Sequence, residues 1–383
     1  MKIIILTSAH PTDDVRVMTK VARGLADLGH QVVWCGPDHY FFDDSHDPRI
    51  SWILTKRGQG WKGRLLALAR SARAAYRIDD ADWIYSPDPD AAIVALAIAR
   101  ITRTHTLFDI HEDFHNGLLR RRIKRPRLAA IMGVAVRAVI TWTARTSDVT
   151  VGVSRTIVNM YCPPGGGSFA VLNTAPRSFA ERQHQPNPTA AQARVMHGKA
   201  VSTNGTHVVL EALRQLPDDQ GPRVVFITRP SPTDQPFDYE LEQSLRSPYL
   251  ASHVKLMAGL PHDRMPEVLG SCSAGLISYG RVLGEASLPN RLFEYMASGI
   301  AVIAPSYSPE IVQIIESYRC GLTADFENPH DVAAKLMQIA THPDETAAMG
   351  SRGRQAFIDH YSWESQLDAL EQHLLAFSER RGS

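Results

Sequence analysis

Short apolar runs alternate along the chain with longer stretches in which apolar residues recur every three or four positions. Residues 2–6 read as a buried strand. Residues 15–28 carry apolar side chains at 18, 21, 22, 25 and 28, the spacing of one helix face, and Gly29 stands where a C-terminal cap belongs. The next strand is 31–35, and 83–85, 106–110 and 149–153 repeat the pattern, each followed by a helix-like segment. Strands joined by crossover helices form a parallel sheet, so this part of the chain is expected to be a doubly wound α/β domain.

Between 175 and 192 the periodicity fails and Pro176, Pro186, Asn187 and Pro188 gather in a polar stretch, which predicts a linker. The alternation then resumes, with helices at 208–216, 265–270 and 289–298 and strands at 223–228, 254–257, 274–279 and 300–304, and helices filling the rest. The expected organisation is a domain over 1–174, a linker over 175–192 and a second doubly wound domain over 193–362. A last helix at about 363–378 has apolar residues at 363, 367, 370, 374 and 377, a face expected to pack back on the first domain. Each doubly wound domain presents its ligand crevice at the carboxyl ends of its strands, so two Rossmann-like domains facing a central cleft are expected.

The length of 383 residues suits two domains. With 41 Lys and Arg against 40 Asp and Glu, there is no general attraction to nucleic acid, and none is expected as a partner. Cys35, Cys162, Cys272 and Cys320 stand far apart without a C-x-x-C spacing, as reduced packing residues of a cytoplasmic protein do. The first apolar run reaches Ser8 and His10 too soon for the core of a signal peptide. The longest apolar stretch, 128–142, contains Arg137 and falls short of the roughly 20 residues that span a bilayer.

The turn after the first strand reads Thr7-Ser8-Ala9-His10-Pro11-Thr12, without the glycines of a dinucleotide fingerprint, and no G-x-x-x-x-G-K-[ST] occurs. A nicotinamide oxidoreductase and a P-loop NTPase are therefore disfavoured. Gly165-Gly166-Gly167 after Pro163-Pro164 reads as a turn before a further strand at Phe169. More informative is 287–299, where Pro289 and Gly299 frame a helix whose N-terminus offers N–H groups and a positive dipole end to a diphosphate. Asn290 and Glu294 share a face, and Glu294, one turn deeper, is placed to accept hydrogen bonds from a ribose diol. The same framing also fits an ordinary short helix with a solvated Glu294. His10, Asp13, Asp14 and Arg16 crowd the first strand–helix turn, either as an N-cap with a surface salt bridge or as an acceptor contact. Arg229 ends a strand, and Glu112 and Asp113 follow His111, where solvent exposure and helix capping are the ordinary roles.

These segments resemble the nucleotide-sugar glycosyltransferases of the GT-B fold, in particular the large retaining glycosyltransferase family 4. "LPNRLFEYMASGIAVIAP" is similar to that family's donor-binding helix and following strand, and "MHGKAVSTNGTHVVLEAL" to the opening loop of its donor domain. "VKLMAGLPHDRMPEVLGSCSAGLISY" resembles its base-binding loop and next strand, while "HPTDDVRVMTKVARGLADLGHQV" and "LFDIHED" resemble its acceptor half. The resemblance makes 1–174 the acceptor domain and 193–362 the donor domain. It implies that Glu294 holds the donor ribose, that Asn290 and Arg291 flank the diphosphate, that Gly198 and Lys199 meet the phosphates, and that Leu260 lies in the loop reading the base. It places His111 near the transferred sugar. Two departures stand out: Lys199 and Asn204-Gly205 occupy positions where the family has Arg and then Lys-Gly, and Ala286 replaces the first carboxylate of a Glu-x7-Glu pair, with Glu285 one residue away.

The implied chemistry is transfer of a sugar from a nucleoside diphosphate, most often UDP, to a glycan, lipid-linked or small-molecule acceptor with retention. Negative charge on the departing diphosphate would be met by a helix dipole with Lys199 and Arg291, and no cofactor or metal is expected. A sugar-nucleotide epimerase of the same fold and a non-catalytic nucleotide-sugar-binding protein are the alternatives. Finally, Arg120, Arg121, Arg122, Lys124, Arg125 and Arg127 form a dense basic run ahead of the apolar stretch 128–142. The run predicts peripheral contact with an anionic membrane on its inner face, and competes with a role in binding a soluble anionic acceptor.

Overall fold

A computed structural model describes residues 1–12, 14–38, 47–56, 60–111, 126–162, 167–181, 193–201, 204–217, 221–228, 235–260, 264–285 and 287–382. Asp13, Glu112, Asp113, Arg120, Arg121, Arg122, Lys124, Arg125, Gly165, Gly166, Arg229 and Ala286 lie outside the described residues. The chain divides into two compact units, Met1–Asn173 with Glu364–Ser383, and Thr174–Trp363.

The first unit is built on a parallel sheet in the order β3-β2-β1-β4-β5-β6-β7. Its strands are β1 (Lys2–Leu6), β2 (Gln31–Asp38), β3 (Ile50–Lys56), β4 (Trp83–Ser86), β5 (His105–Ile110), β6 (Val149–Gly152) and β7 (Ser168–Ala170). From β1 the chain winds outward through β2 and β3, then returns to lay β4 on the other side of β1, so the winding reverses between β1 and β4. Ile4, Leu6 and Ile84 share one face of the sheet with Phe108 and Ile110, under the helices Gly60–Ala75, Pro89–Thr102 and Pro126–Thr146. The opposite face carries the first helical segment and the C-terminal helix Trp363–Gly382. Leu367 packs so closely on Gly24 that a Cβ there would come within 2.7 Å of it. His30 meets Glu371 at 2.7 Å, and Trp83 Nε1 donates to Ser378 Oγ at 3.2 Å.

The second unit repeats the scheme with β8 (Arg194–Lys199), β9 (Arg223–Thr228), β10 (Val254–Ala258), β11 (Ala274–Leu276), β12 (Ala301–Pro305) and β13 (Gly321–Ala324). Their order, β10-β9-β8-β11-β12-β13, places the reversal between β8 and β11. All described pairings in both sheets are parallel.

Several expectations need correction. Residues 15–28 form a π-helical segment, Val15–Ala22, running into a short α-helix, Arg23–Asp27. The wider turn begins where Thr19 N–H reaches back to Asp14 O at 3.0 Å. Residues 175–181 are not linker: Ala175, Phe179 and Ala180 are buried and the short helix Ser178–Glu181 packs on the helix Asn290–Ala297 of the second unit. The polar composition hid these few anchoring side chains; residues 182–192 lie outside the described part. Strands β3, β8 and β13 are additional to those expected. Of these, β3 and β13 are sheet edges with mixed burial, and β8 ends in His-Gly-Lys, so none presents a long apolar run.

Candidate functional site

In the second unit the crevice at the β8/β11 reversal is where a doubly wound sheet takes its ligand. Strand β8 ends on a register shift between Met196 and Gly198, and Gly198 has φ +85°, a left-handed conformation that favours glycine. Arg291, in the first turn of the helix Asn290–Ala297, reaches back over this turn. Its Nη1 donates to His197 O at 3.2 Å, and a Cβ on Gly198 would touch the guanidinium at 3.5 Å. Tyr279, just beyond β11, lies under the same guanidinium with its ring centroid 5.3 Å from Cζ. Burial works against the Arg291 charge, but Tyr295, Tyr279 and Glu294 more than offset it and hold its pKa above the ordinary value. The structure thus delivers a fixed cation beside the end of β8.

Behind this cation sits a network that the sequence did not reveal. His197 is fully buried; burial first, and then the Arg291 charge, push its pKa down to about 3, so the ring is neutral. Its Nε2 meets Ser278 Oγ at 3.0 Å, and Ser278 Oγ donates to Asn204 O at 2.5 Å. Asn204 Nδ2 donates to Lys199 O at 3.0 Å. At Gly205, φ is +66° and a Cβ would stand 2.1 Å from Ser278 O, so only glycine fits. These bonds strap the β8 turn to the end of β11 and leave the Lys199 side chain exposed. The signal was the H-G-K-x4-N-G spacing, which reads as a loop until Ser278 is brought beneath it.

Asn290 opens the helix and Glu294 lies one turn on, both half-buried. Pro289 holds the N-cap position and no side chain caps the end. The structure therefore gathers Gly198, Lys199, Asn290 and Arg291 at the β8 end and the helix N-terminus, with Glu294 on the same helix. Leu260 lies beyond β10, two strands from β8, about 10 Å away at the usual inter-strand spacing.

The first unit has its own cluster at the β1/β4 reversal. Asp88, a buried carboxylate just after β4, accepts from Thr7 Oγ1 at 2.6 Å and from the N–H of Ser8 at 2.9 Å and of Ala9 at 3.3 Å. His10 Nδ1 lies 3.3 Å from its other oxygen, close enough to pair without hydrogen-bond alignment. Burial would raise the Asp88 carboxyl, but His10, Thr7 and Ser8 hold it far below the usual carboxylate range. Burial likewise lowers His10, and Asp88 outweighs it, so the His10 pKa is raised. The sequence carries no signal of this role, since Ser86-Pro87-Asp88-Pro89-Asp90 has the composition of an ordinary helix N-terminus. Asp88 occupies the N-cap position without making the side-chain cap bond.

His111, at the end of β5, meets the His10 ring edge-on at 5.0 Å between centroids. Its side chain is 12% exposed; Nδ1 sits 3.4 Å from Asp109, and Nε2 has no hydrogen-bond partner among the described residues. Asp109 is buried and accepts two hydrogen bonds from Arg16, both 3.0 Å, and one from Tyr85 Oη at 2.6 Å. Arg16 is therefore not the surface salt bridge its position suggested: it is 6% exposed and locked to Asp109 because the π-helical turn faces it inward. Asp14 caps that helix through Val17 N–H at 2.6 Å. Of the residues expected at the acceptor turn, His10 and His111 come together, while Asp14 and Arg16 are committed to the fold.

Among the described residues no group of three or more His, Cys, Asp or Glu side chains is arranged to hold a metal ion, and no helix is long and apolar enough to cross a membrane.

Comparison with known proteins agrees with this anatomy. The Glycosyltransferase Family 4 model matches residues 15–163, and the Glycosyl transferase-like model matches residues 207–372. No curated protein matches the chain in sequence. Among solved structures, Anabaena HepE in complex with UDP is 16% identical with a TM-score of 0.74, over 98% of this chain and 100% of that one. Sucrose-phosphate synthase from Thermosynechococcus elongatus is 14% identical with a TM-score of 0.74, over 100% and 99%. A glycosyltransferase from Rickettsia africae is 13% identical with a TM-score of 0.75, over 98% of each chain. A glycosyltransferase model matches each of its two Rossmann-like units and the chain shares the GT-B fold over its length, which together support an enzyme that transfers sugars, of the GT-B, family 4 type.

Proposed function

We propose that the second unit binds a nucleoside diphosphate sugar, with uridine as the base, and that the sugar passes to an acceptor held by the first unit. The observation that carries this reading is Arg291 fixed over the Gly198 turn at the N-terminus of the helix Asn290–Ala297. A desolvated guanidinium, a helix N-terminus and the exposed Lys199 suit a diphosphate. HepE structures with UDP and with UDP-glucose support uridine as the base. In the reaction the bond from the anomeric carbon to the β-phosphate oxygen breaks while an acceptor oxygen bonds to that carbon. Charge builds on the departing diphosphate, where Arg291 and Lys199 stabilise it without a metal. For transfer with retention the acceptor proton passes to a departing phosphate oxygen, and Glu294 anchors the ribose. Arg291→Ala and Lys199→Ala should each lower turnover far more than stability, read as UDP release against thermal unfolding. Unchanged turnover in both refutes the diphosphate assignment.

A specific observation favours a second reading: His10 paired with buried Asp88 is the arrangement of a general base that would take the acceptor proton itself and invert the anomeric centre. The anomeric configuration of the product, read by proton NMR, separates the two. The basic run Arg120, Arg121, Arg122, Lys124, Arg125 and Arg127 supports a lipid-linked acceptor at an anionic membrane surface. Arg127 is exposed at the start of the helix Pro126–Thr146.

A further inference from the structure

Three helices, Gly60–Ala75, Pro89–Thr102 and Pro126–Thr146, lie side by side over one face of the first sheet, the middle one packing on both neighbours. Their inner sides supply Leu68, Ala95 and Ile140 to the core. Their outer sides are not polar. The first exposes Trp61, Leu65 and Leu66, with Trp61 69% accessible, and the third exposes Ile131, Val134 and Trp142, with Ile131 68% accessible. Ile93 and Ile101 continue the apolar surface across the middle helix.

The charges in this layer are as one-sided as its apolar surface. The three helices contain eight lysines and arginines, four, one and three in turn, against the single carboxylate Asp90. Asp90 is already engaged by Arg64 at 2.7 and 2.9 Å. In a chain with 41 cationic and 40 anionic residues this is a local concentration, not a reflection of overall composition. Large apolar side chains interspersed with cations, with tryptophan on both outer helices, form the amphipathic surface that inserts at the headgroup boundary of an anionic bilayer. A second copy of the chain is a poor occupant, because a two-fold contact through this face would press together two surfaces of the same net positive charge.

We propose that this three-helix face of the first unit is the surface that lies on an anionic lipid bilayer. The inference rests on the membrane reading given above and deepens it, since it locates contact on three described helices instead of on the basic run alone. The test uses the whole chain in vesicle sedimentation with phosphatidylcholine alone and with equimolar phosphatidylcholine and phosphatidylglycerol. Binding is expected only to the anionic vesicles and should be lost at ~1 M salt, where the Debye length falls to about 3 Å. Trp61→Glu with Leu65→Glu, and separately Ile131→Glu with Trp142→Glu, should each weaken binding at least about tenfold, the equivalent of ~1.4 kcal/mol. Leu375→Glu, on the C-terminal helix of the opposite face, should leave it unchanged. A parent-like thermal unfolding transition by circular dichroism in every variant serves as the folding control. If both pairs bind like the parent while changing Arg120, Arg121 and Arg122 to Ser abolishes binding, the face is wrong and the membrane reading survives. No binding by the parent overturns both. A parent dimer that these pairs convert to monomer shows that a second copy covers the face, and overturns the proposal.

Discussion

Removing the Asp109 carboxylate should destabilise the first unit more than almost any other single change. Asp109 is 1% exposed and takes both hydrogen bonds of a bidentate pair with Arg16, plus the Tyr85 hydroxyl. Asp109→Ala would leave a guanidinium that is 6% exposed with Val171 O as its one remaining partner from this set. Stranding one half of a buried pair costs about 3–5 kcal/mol. For a unit of this size each kcal/mol lowers the melting midpoint by about 2–4 °C, so a fall of roughly 6–20 °C is expected. Tryptophan fluorescence suits the measurement, since Trp34, Trp52, Trp61, Trp83 and Trp142 all lie in this unit. Arg16→Met combined with Asp109→Leu removes both charges and should recover most of the loss. The pH dependence has a definite sign. The folded pKa of Asp109 is depressed, with burial opposing and Arg16 then His111 prevailing, so its stabilisation is complete above the unfolded value of about 4 and is lost progressively as pH falls from there through the depressed folded value. An Asp109→Ala midpoint within ~2 °C of the parent would refute the argument that this pair anchors the fold.

Glu294→Ala should weaken UDP binding by about 1.5–3 kcal/mol, the range for hydrogen bonds to a charged group, as read by calorimetry. Unaltered affinity removes Glu294 from the ribose. Asp88→Asn removes the charge that raises the His10 pKa and leaves burial to lower it, so the acid limb of the pH–rate profile should move to lower pH. A profile that stays in place means His10 does not titrate in the reaction. Hydrogen exchange with UDP bound should show protection at 197–205 and 288–297 and none at 7–10. Protection of the first turn would put the nucleotide in the wrong unit.

The layered α/β plan was legible because buried parallel strands such as β1, β4 and β12 are short continuous apolar runs and their helices carry one apolar face. Edge strands and β8 were hidden because polar or glycine residues interrupt that signal. The helix Asn290–Ala297 and Gly198 could be found from local chemistry and resemblance, and the structure supplies what joins them: the Arg291 reach of 3.2 Å to His197 O. His197, Ser278 and Asp88 could not be read from the sequence, because their roles depend on partners 74 to 94 residues away. The inward turn of Arg16 was equally hidden, since a residue's burial on a π-helical turn departs from the spacing of an α-helix.

The two units share one topology, but their equivalent turns, after β1 and β8, carry opposite charge. A strand–helix turn at a reversal point offers backbone N–H groups to an anion. After β1 those donors are already taken, since Ser8 and Ala9 donate to Asp88 and Thr7 adds its hydroxyl. An internal carboxylate fills the place a phosphate would need and repels one electrostatically, and the turn has no glycine to let a phosphate approach the backbone. What remains there is His10 beside His111, groups suited to a hydroxyl or a sugar. After β8 the turn contains Gly198 at positive φ, and the group fixed above it is the Arg291 cation. The buried residue beneath, His197, is kept neutral by its burial first and then by that same cation, so positive charge is concentrated on the side chain that can meet a ligand. Charge sign at equivalent turns, more than the shared fold, is therefore what supports the proposed placement of the diphosphate on the second unit and of hydroxyl chemistry on the first.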